Sequence, residues 1–294
     1  MSMKRREEKL LSSDNKELFA RYWEAEKPKY NLIIIHGFAE HSGRYDQFAS
    51  DLTKDGISSF SFDLRGHGKS QGERGFIKNF NEFYDDISMF TERIRNSRGA
   101  LPLFLFGHSL GGLLAFRFQQ LKKSDEIKGV ILSSPLFGLA INVPKFKKVM
   151  LPAMKLLAPR ITLYNEVDPT LLSHDRRVVD DYIKDPLVHN RASAPFFYGL
   201  FDEMGKALQK APMWQNPLLV QYADEDKIVD ISAIEKLCSV IAPKWITKIK
   251  YNGFYHEIFN EVDKKVPLQD LKGWINSRVA VQAGAGHRQI PPSV

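Results

Sequence analysis

Cysteine is nearly absent: Cys238 is the only one in 294 residues. No internal disulfide can form, and none is needed, because a chain of this size buries roughly three-quarters of its unfolded surface. A lone thiol fits a reducing compartment. No apolar run reaches the ~18 residues of a membrane span. Met1 to Leu11 is basic but leads into no apolar stretch, so no signal peptide is expected. Repeats and low-complexity tracts are missing as well. His256-Glu257 opens like the zinc motif H-E-x-x-H, but Asn260 stands where the second histidine belongs. Gly66-His67-Gly68 lacks the further glycine of a dinucleotide fingerprint, and His36, His41 and His67 have no metal-ligand spacing. The reading is therefore of a protein with no metal and no cofactor.

The charge is moderately one-sided, with 42 Lys+Arg against 35 Asp+Glu and a formal net charge of +7. That balance permits anionic partners, but no nucleic-acid motif accompanies it, so no nucleic-acid partner is expected. Hydrophobic residues at 43% and charged residues at 26% are the balance of a soluble globular protein.

Short apolar runs mark buried strands at Tyr30–Ile35, Ile57–Phe62 and Leu101–Phe106; Gly129–Ser133, Leu218–Ala223 and Ile246–Tyr251 read as further strands, with an earlier one at Leu18–Trp23. Helical spacing covers Ile77–Arg98, Leu110–Leu121 and Val266–Asn276. Apolar strands alternating with helices predict an α/β protein, a mostly parallel sheet with helices on both faces. The alternation stops near Pro135 and resumes near Pro217. Residues 138–212 are read as an inserted, mostly helical cap with no strong strand signal, and residues 1–137 and 213–294 as the core. The first 17 residues are expected to be loose, and residues 283–294 a disordered tail.

Gly107-His108-Ser109-Leu110-Gly111 matches G-x-S-x-G, the nucleophile elbow. Small residues on either side let a sharp strand-to-helix turn lift the serine oxygen above the sheet. The strand stops just before the motif and the helix starts within it, as that geometry requires. Ser109 then needs a base and an orienting acid. In chain order these should follow late strands, and His256 and Asp226 do so. Asp226 precedes Ile228-Val229, which places it on a turn toward His256; Asp224 is the alternative, and Asp230 lies in the same segment. The oxyanion of acyl transfer needs N–H donors. Leu110, directly after the serine, supplies one. Phe38, in the loop after Ile35, supplies the other.

Within the cap, Pro144 to Arg160 mixes Lys145, Lys147, Lys148, Lys155 and Arg160 with apolar residues, and no acid occurs between Glu126 and Glu166. Two readings stay open: an interfacial segment touching a membrane surface, or a cap helix whose apolar face covers the site while its lysines face water. An apolar cap over an esterase site implies an apolar acyl substrate.

These residues together resemble the monoacylglycerol lipase and lysophospholipase group of α/β-hydrolases, over about Leu18 to Trp274. The likeness rests on His36-Gly37 with Glu40-His41-Ser42-Gly43-Arg44-Tyr45, on Asp63 to Ser70, the elbow, Ser134-Pro135-Leu136, Asp185-Pro186-Leu187, the Asp226 segment and Tyr255-His256-Glu257. The resemblance implies the α/β-hydrolase fold with a cap, and a triad of Ser109, Asp226 and His256. It also implies a polar, alcohol-binding end made by Glu40 and Arg44, with Tyr182 of the cap beside it. Two positions depart from the family. Phe38 is bulkier than the usual residue and is expected to narrow the site, and Phe259 replaces a histidine of the animal enzymes.

The expected activity is serine-dependent release of a fatty acid from a monoacylglycerol, a small lipid substrate. The alternatives are a lysophospholipase, a general carboxylesterase, or a non-catalytic ligand-binding homologue. The expected location is the cytoplasm, with peripheral membrane contact through residues 144–160 under the interfacial reading.

Overall fold

The computed structural model describes residues 4–140, 156–157, 159–164 and 167–285. Strands β1 (Lys4–Leu11), β2 (Glu17–Glu24), β3 (Tyr30–Ile35), β4 (Ile57–Phe62), β5 (Leu103–His108), β6 (Ile127–Ser133), β9 (Leu218–Ala223) and β10 (Ile246–Tyr251) form one sheet. Its order is β1-β2-β4-β3-β5-β6-β9-β10. β1 and β2 pair antiparallel, as do β2 and β4, and the remaining neighbours are parallel. Fully apolar runs such as Leu32-Ile33-Ile34-Ile35 follow from this, since a central parallel strand is covered on both faces.

Helices α2 (Asn81–Arg98) and α3 (Leu110–Lys122) cover one face, with Phe83, Ile87, Phe90, Leu113 and Phe116 in a shared core. Helices α1 (Asp46–Thr53) and α7 (Lys265–Ala285) cover the other, where Phe48, Leu52, Leu271 and Trp274 meet Phe104 and Phe106 of β5. Helix α6 (Ile231–Ser239) lies between β9 and β10 in sequence. Strand order reverses around β3, with β4 on one side and β5 on the other. Ligands of such sheets bind beyond the carboxyl ends of the strands at that point.

Between β6 and β9 come β7 (Thr162–Tyr164), α4 (Arg176–Lys184), β8 (Arg191–Ser193) and α5 (Ala194–Lys210). Ser193 caps α5 by accepting from the Phe196 N–H at 3.3 Å. This segment is fastened to the core at several points. Glu203 of α5 accepts from Arg117 of α3 at 2.7 Å and from the Tyr84 hydroxyl of α2 at 2.6 Å. His41 Nε2 meets Asp185 at 2.8 Å, and the His189 N–H donates to the Ala39 carbonyl at 3.1 Å.

Three expectations change. Residues 4–11 are a strand, not a loose lead. Their sequence has no apolar alternation; the strand is held by its partner's charges and rings, through Lys9–Glu17 at 2.8 Å, Arg21–Glu7 at 3.2 Å and the Arg6 guanidinium 3.8 Å from the Tyr22 ring. The inserted segment carries the antiparallel pair β7–β8, whose three-residue strands are too short to show a period. Helix α7 runs past Asn276 to Ala285, because Ala280, Ala283 and Ala285 favour helix continuation. Residues 283–285 of the expected tail fall within this helix, and residues 286–294 lie outside the described residues. Most of the 144–160 segment lies outside them as well. Of its described members, Leu156 and Leu157 are exposed at 82% and 81%. Among the described residues, no helix is long and apolar enough to cross a membrane.

Candidate active site

The elbow forms because two glycines permit a crossing that no other residue allows. A Cβ on Gly107 would lie 2.2 Å from the Gly111 carbonyl oxygen, and one on Gly111 would lie 2.0 Å from that of Ile35. Ser109 sits at the turn with φ 52° and ψ −116°, a conformation that costs a non-glycine residue about 1–3 kcal/mol. Its backbone is pinned from both sides: its N–H donates to the Ser133 carbonyl and its carbonyl accepts from the Leu136 N–H, both at 3.0 Å. Ala39 after β3 and Ser134 after β6 also have positive φ, at 66° and 40°. Strain thus gathers at the carboxyl ends of three adjacent strands.

Asp226 and His256 come from turns after β9 and β10. His256 Nδ1 lies 2.7 Å from Asp226 Oδ2, and both side chains are buried. The other oxygen of Asp226 accepts from the N–H groups of Ile228 and Val229, at 2.9 and 3.0 Å. Burial alone would raise the Asp226 pKa. The His256 charge and these N–H donors outweigh it, and the carboxyl is held below its ordinary range. Burial would likewise lower the His256 pKa, but Asp226, then Glu257 and Glu40, raise it above the ordinary value of 6.5. The alternative acids do other work. Asp224 accepts from the Gly253 N–H at 2.7 Å, and Asp230 caps α6 through the Ser232 N–H at 2.9 Å.

Phe38 and Leu110 follow Gly37 and Ser109. Gly37 and Ser109 are in contact, since a Cβ on Gly37 would lie 3.4 Å from the Ser109 Cβ. Among the described residues, the N–H groups of Phe38 and Leu110 meet no acceptor. The Phe38 ring turns toward the inserted segment, 4.7 Å from the Phe196 ring and 5.5 Å from that of His189. His108 lies beside the pair, its ring 4.8 Å from that of His256. Burial first, then the neighbouring His256, pushes the His108 pKa down to about 4, so His108 is neutral at pH 7.

Next to this lies a second buried polar cluster. Arg44 Nη1 donates to Glu40 and to Glu257, both at 2.7 Å, and its Nη2 donates to the second oxygen of Glu257 at 2.8 Å. The Tyr182 ring lies under the guanidinium at 4.8 Å. The remaining oxygen of Glu40 accepts from the Gly37 N–H at 2.5 Å and the Tyr45 hydroxyl at 2.8 Å. Burial pushes the Glu40 pKa up, but Arg44, then His108 and His36, bring it down to about 2. Sequence reasoning brought Glu40, Arg44 and Tyr182 to this place and missed Glu257. Its position directly after His256 was the available signal. Phe259 packs instead against Phe48 and Phe106, at 4.8 and 5.5 Å, in the core beneath the sheet.

Sheet order, elbow and cap together define an α/β-hydrolase. Residues 26–263 match the family described as serine aminopeptidase, S33, and the chain belongs to it. It is 34% identical to an uncharacterized abhydrolase domain-containing protein of Dictyostelium discoideum over 92% of its own length, but spans only 29% of that protein. It is 30% identical to a monoacylglycerol lipase of Mycolicibacterium smegmatis, covering 86% of this chain and 90% of that protein. A Bacillus subtilis phospholipase is also 30% identical, over 83% and 93% of the two. The crystal structure of Paleococcus ferrophilus monoacylglycerol lipase superimposes with a TM-score of 0.80 at 30% identity, covering 95% of this chain and 100% of that one.

Proposed function

We propose that the chain is a serine carboxylic-ester hydrolase that releases the fatty acid from a monoacylglycerol. Ser109 Oγ attacks the ester carbonyl as His256 Nε2 takes its proton. Asp226 holds Nδ1–H and stabilises the imidazolium. The N–H groups of Phe38 and Leu110 receive the oxyanion. The protonated His256 returns its proton to the leaving glycerol oxygen, giving an acyl-Ser109 ester. Water, activated by the same histidine, then releases the fatty acid.

The observation that carries this reading is the buried Asp226–His256 pair at 2.7 Å beside a strained Ser109 and two N–H groups without acceptors. The substrate choice draws on the named relatives and on the neutral alcohol that the Glu40–Arg44–Tyr182 end can hold. The exposed Leu156 and Leu157 favour a cap that touches a lipid surface from which the substrate is drawn. Core residues 1–137 and 213–294 carry the chemistry, and cap residues 138–212 cover it.

The test is fluorophosphonate labelling followed by a substrate panel. Labelling at Ser109 with strong turnover of 1-monooleoylglycerol, and little of p-nitrophenyl acetate or leucyl p-nitroanilide, supports the proposal. Preference for the acetate makes the protein a general esterase. Preference for the anilide makes it a peptidase, as the family's description reads. Absence of labelling favours a non-catalytic binding protein.

A further inference from the structure

The polar end of the site carries more negative than positive charge, and this bears on which alcohol it accepts. Glu40 and Glu257 are buried and Arg44 lies against both with little exposure, and the three sum to one excess negative charge. The cation is spent. Arg44 places three of its five N–H donors on the two carboxylates and stacks its face on Tyr182, so its charge is more than balanced before any ligand anion arrives. Glu257 is the decisive member. Without it, Arg44 would balance Glu40 alone and keep N–H donors to spare. With it, both terminal nitrogens are engaged. Asp226, behind His256, adds further negative potential on the same side whenever His256 is neutral.

Resting on the monoacylglycerol reading above, we infer that Glu257 is a specificity-determining residue that closes the alcohol end to anionic headgroups and reserves it for an uncharged polyol. Among the described residues, a phosphate there would face two carboxylates whose one neighbouring cation, Arg44, is already engaged, and like-charge juxtaposition of this kind is unfavourable. A glycerol headgroup carries no charge and pays no such penalty. Its hydroxyls can donate to carboxylate lone pairs that Arg44 leaves open. The site therefore separates monoacylglycerols from acidic lysophospholipids by charge rather than by size.

The test uses two esters of one acyl chain, 1-octanoylglycerol and 1-octanoylglycerol 3-phosphate, both below their aggregation limits. The wild type is expected to hydrolyse the neutral ester with a kcat/KM about 100-fold higher, following the like-charge penalty. Glu257→Gln keeps the shape and one acceptor for Arg44 but removes the excess charge. It is expected to narrow the ratio about tenfold or more, mainly by lowering KM for the phosphate ester. A general loss of folding would lower both rates together and change the circular-dichroism spectrum, so the ratio is read on variant protein whose spectrum and neutral-ester turnover match the wild type. Comparable wild-type turnover of both esters would overturn the inference while leaving the monoacylglycerol reading intact; lysines in the cap drawing in the phosphate would give that result. An unchanged ratio in Glu257→Gln would assign the selection to another group and also overturn it. No turnover of the neutral ester by the wild type would overturn the underlying reading and the inference with it.

Discussion

Two buried acid–base assemblies lie side by side in this molecule, and they differ in one respect. Asp226 holds a histidine, and Glu40 with Glu257 holds an arginine. Both bury carboxylates, and both use the opposite charge to offset the cost of burial. An imidazole can take up and release a proton during turnover, whereas a guanidinium stays charged throughout the accessible range. The first assembly can therefore cycle during turnover, and the second is fixed. Under the proposed function, chemistry belongs to the pair that can change charge, and recognition to the cluster that cannot.

The most severe way to break the first assembly is to remove its nucleophile. Ser109→Ala is expected to lower kcat for ester hydrolysis by about 10⁶-fold, as loss of a triad serine does elsewhere, with the circular-dichroism spectrum unchanged. Ser109→Gly should be equally inactive yet more stable than Ser109→Ala by about 1 kcal/mol in denaturant melts, because glycine tolerates the positive φ. Asp226→Asn should cost about 10⁴-fold in kcat by leaving the imidazole in the wrong tautomer.

pH sharpens the contrast. Asp226, with Glu257 and Glu40, raises the His256 pKa above its ordinary value of 6.5. Activity that needs neutral His256 should then fall as the pH drops through that raised value, about tenfold per unit below it. In Asp226→Asn the acidic limb of residual kcat/KM should move to lower pH, because the largest influence raising the imidazole pKa is gone and only Glu257 and Glu40 still oppose burial. For stability the sign is opposite. A raised folded pKa contributes stability that is fully present below the unfolded value and is lost as pH rises through the folded value.

Breaking the fixed cluster should act on the fold before the chemistry. Arg44→Met strands two buried carboxylates and is expected to destabilise by about 3–5 kcal/mol, read as a fall in Tm of about 10 °C. The smallest effect should come from Leu156→Ser with Leu157→Ser. Both residues are exposed, so stability should change by no more than about 0.5 kcal/mol, while binding to anionic vesicles measured by sedimentation should drop.

The sheet and the elbow were legible because their signals are local. β3, β4, β9 and β10 have the bounds that their apolar runs predicted. The segment order Ser109, Asp226, His256 could be read from strand ends, and the preference for Asp226 over Asp224 from its place before Ile228-Val229 on the turn. What escaped depends on partners distant in sequence. β1 is a charged run that becomes a strand only when β2 lies alongside. β7 and β8 stabilise each other across an intervening helix. Glu257 gains its meaning from Arg44, far away in the chain, and no spacing rule links them. Phe259, by contrast, stood out in sequence because it replaces a polar residue, yet it belongs to the core with Phe48 and Phe106.

The central claim is that Ser109 is the nucleophile of an ester hydrolase acting on a monoacylglycerol. Oleate release from 1-monooleoylglycerol, compared between the wild type and Ser109→Ala, tests it most directly. The account predicts sustained release by the wild type and none above background by the variant. Release by Ser109→Ala within about tenfold of the wild type would contradict it, because a lost triad serine normally costs far more.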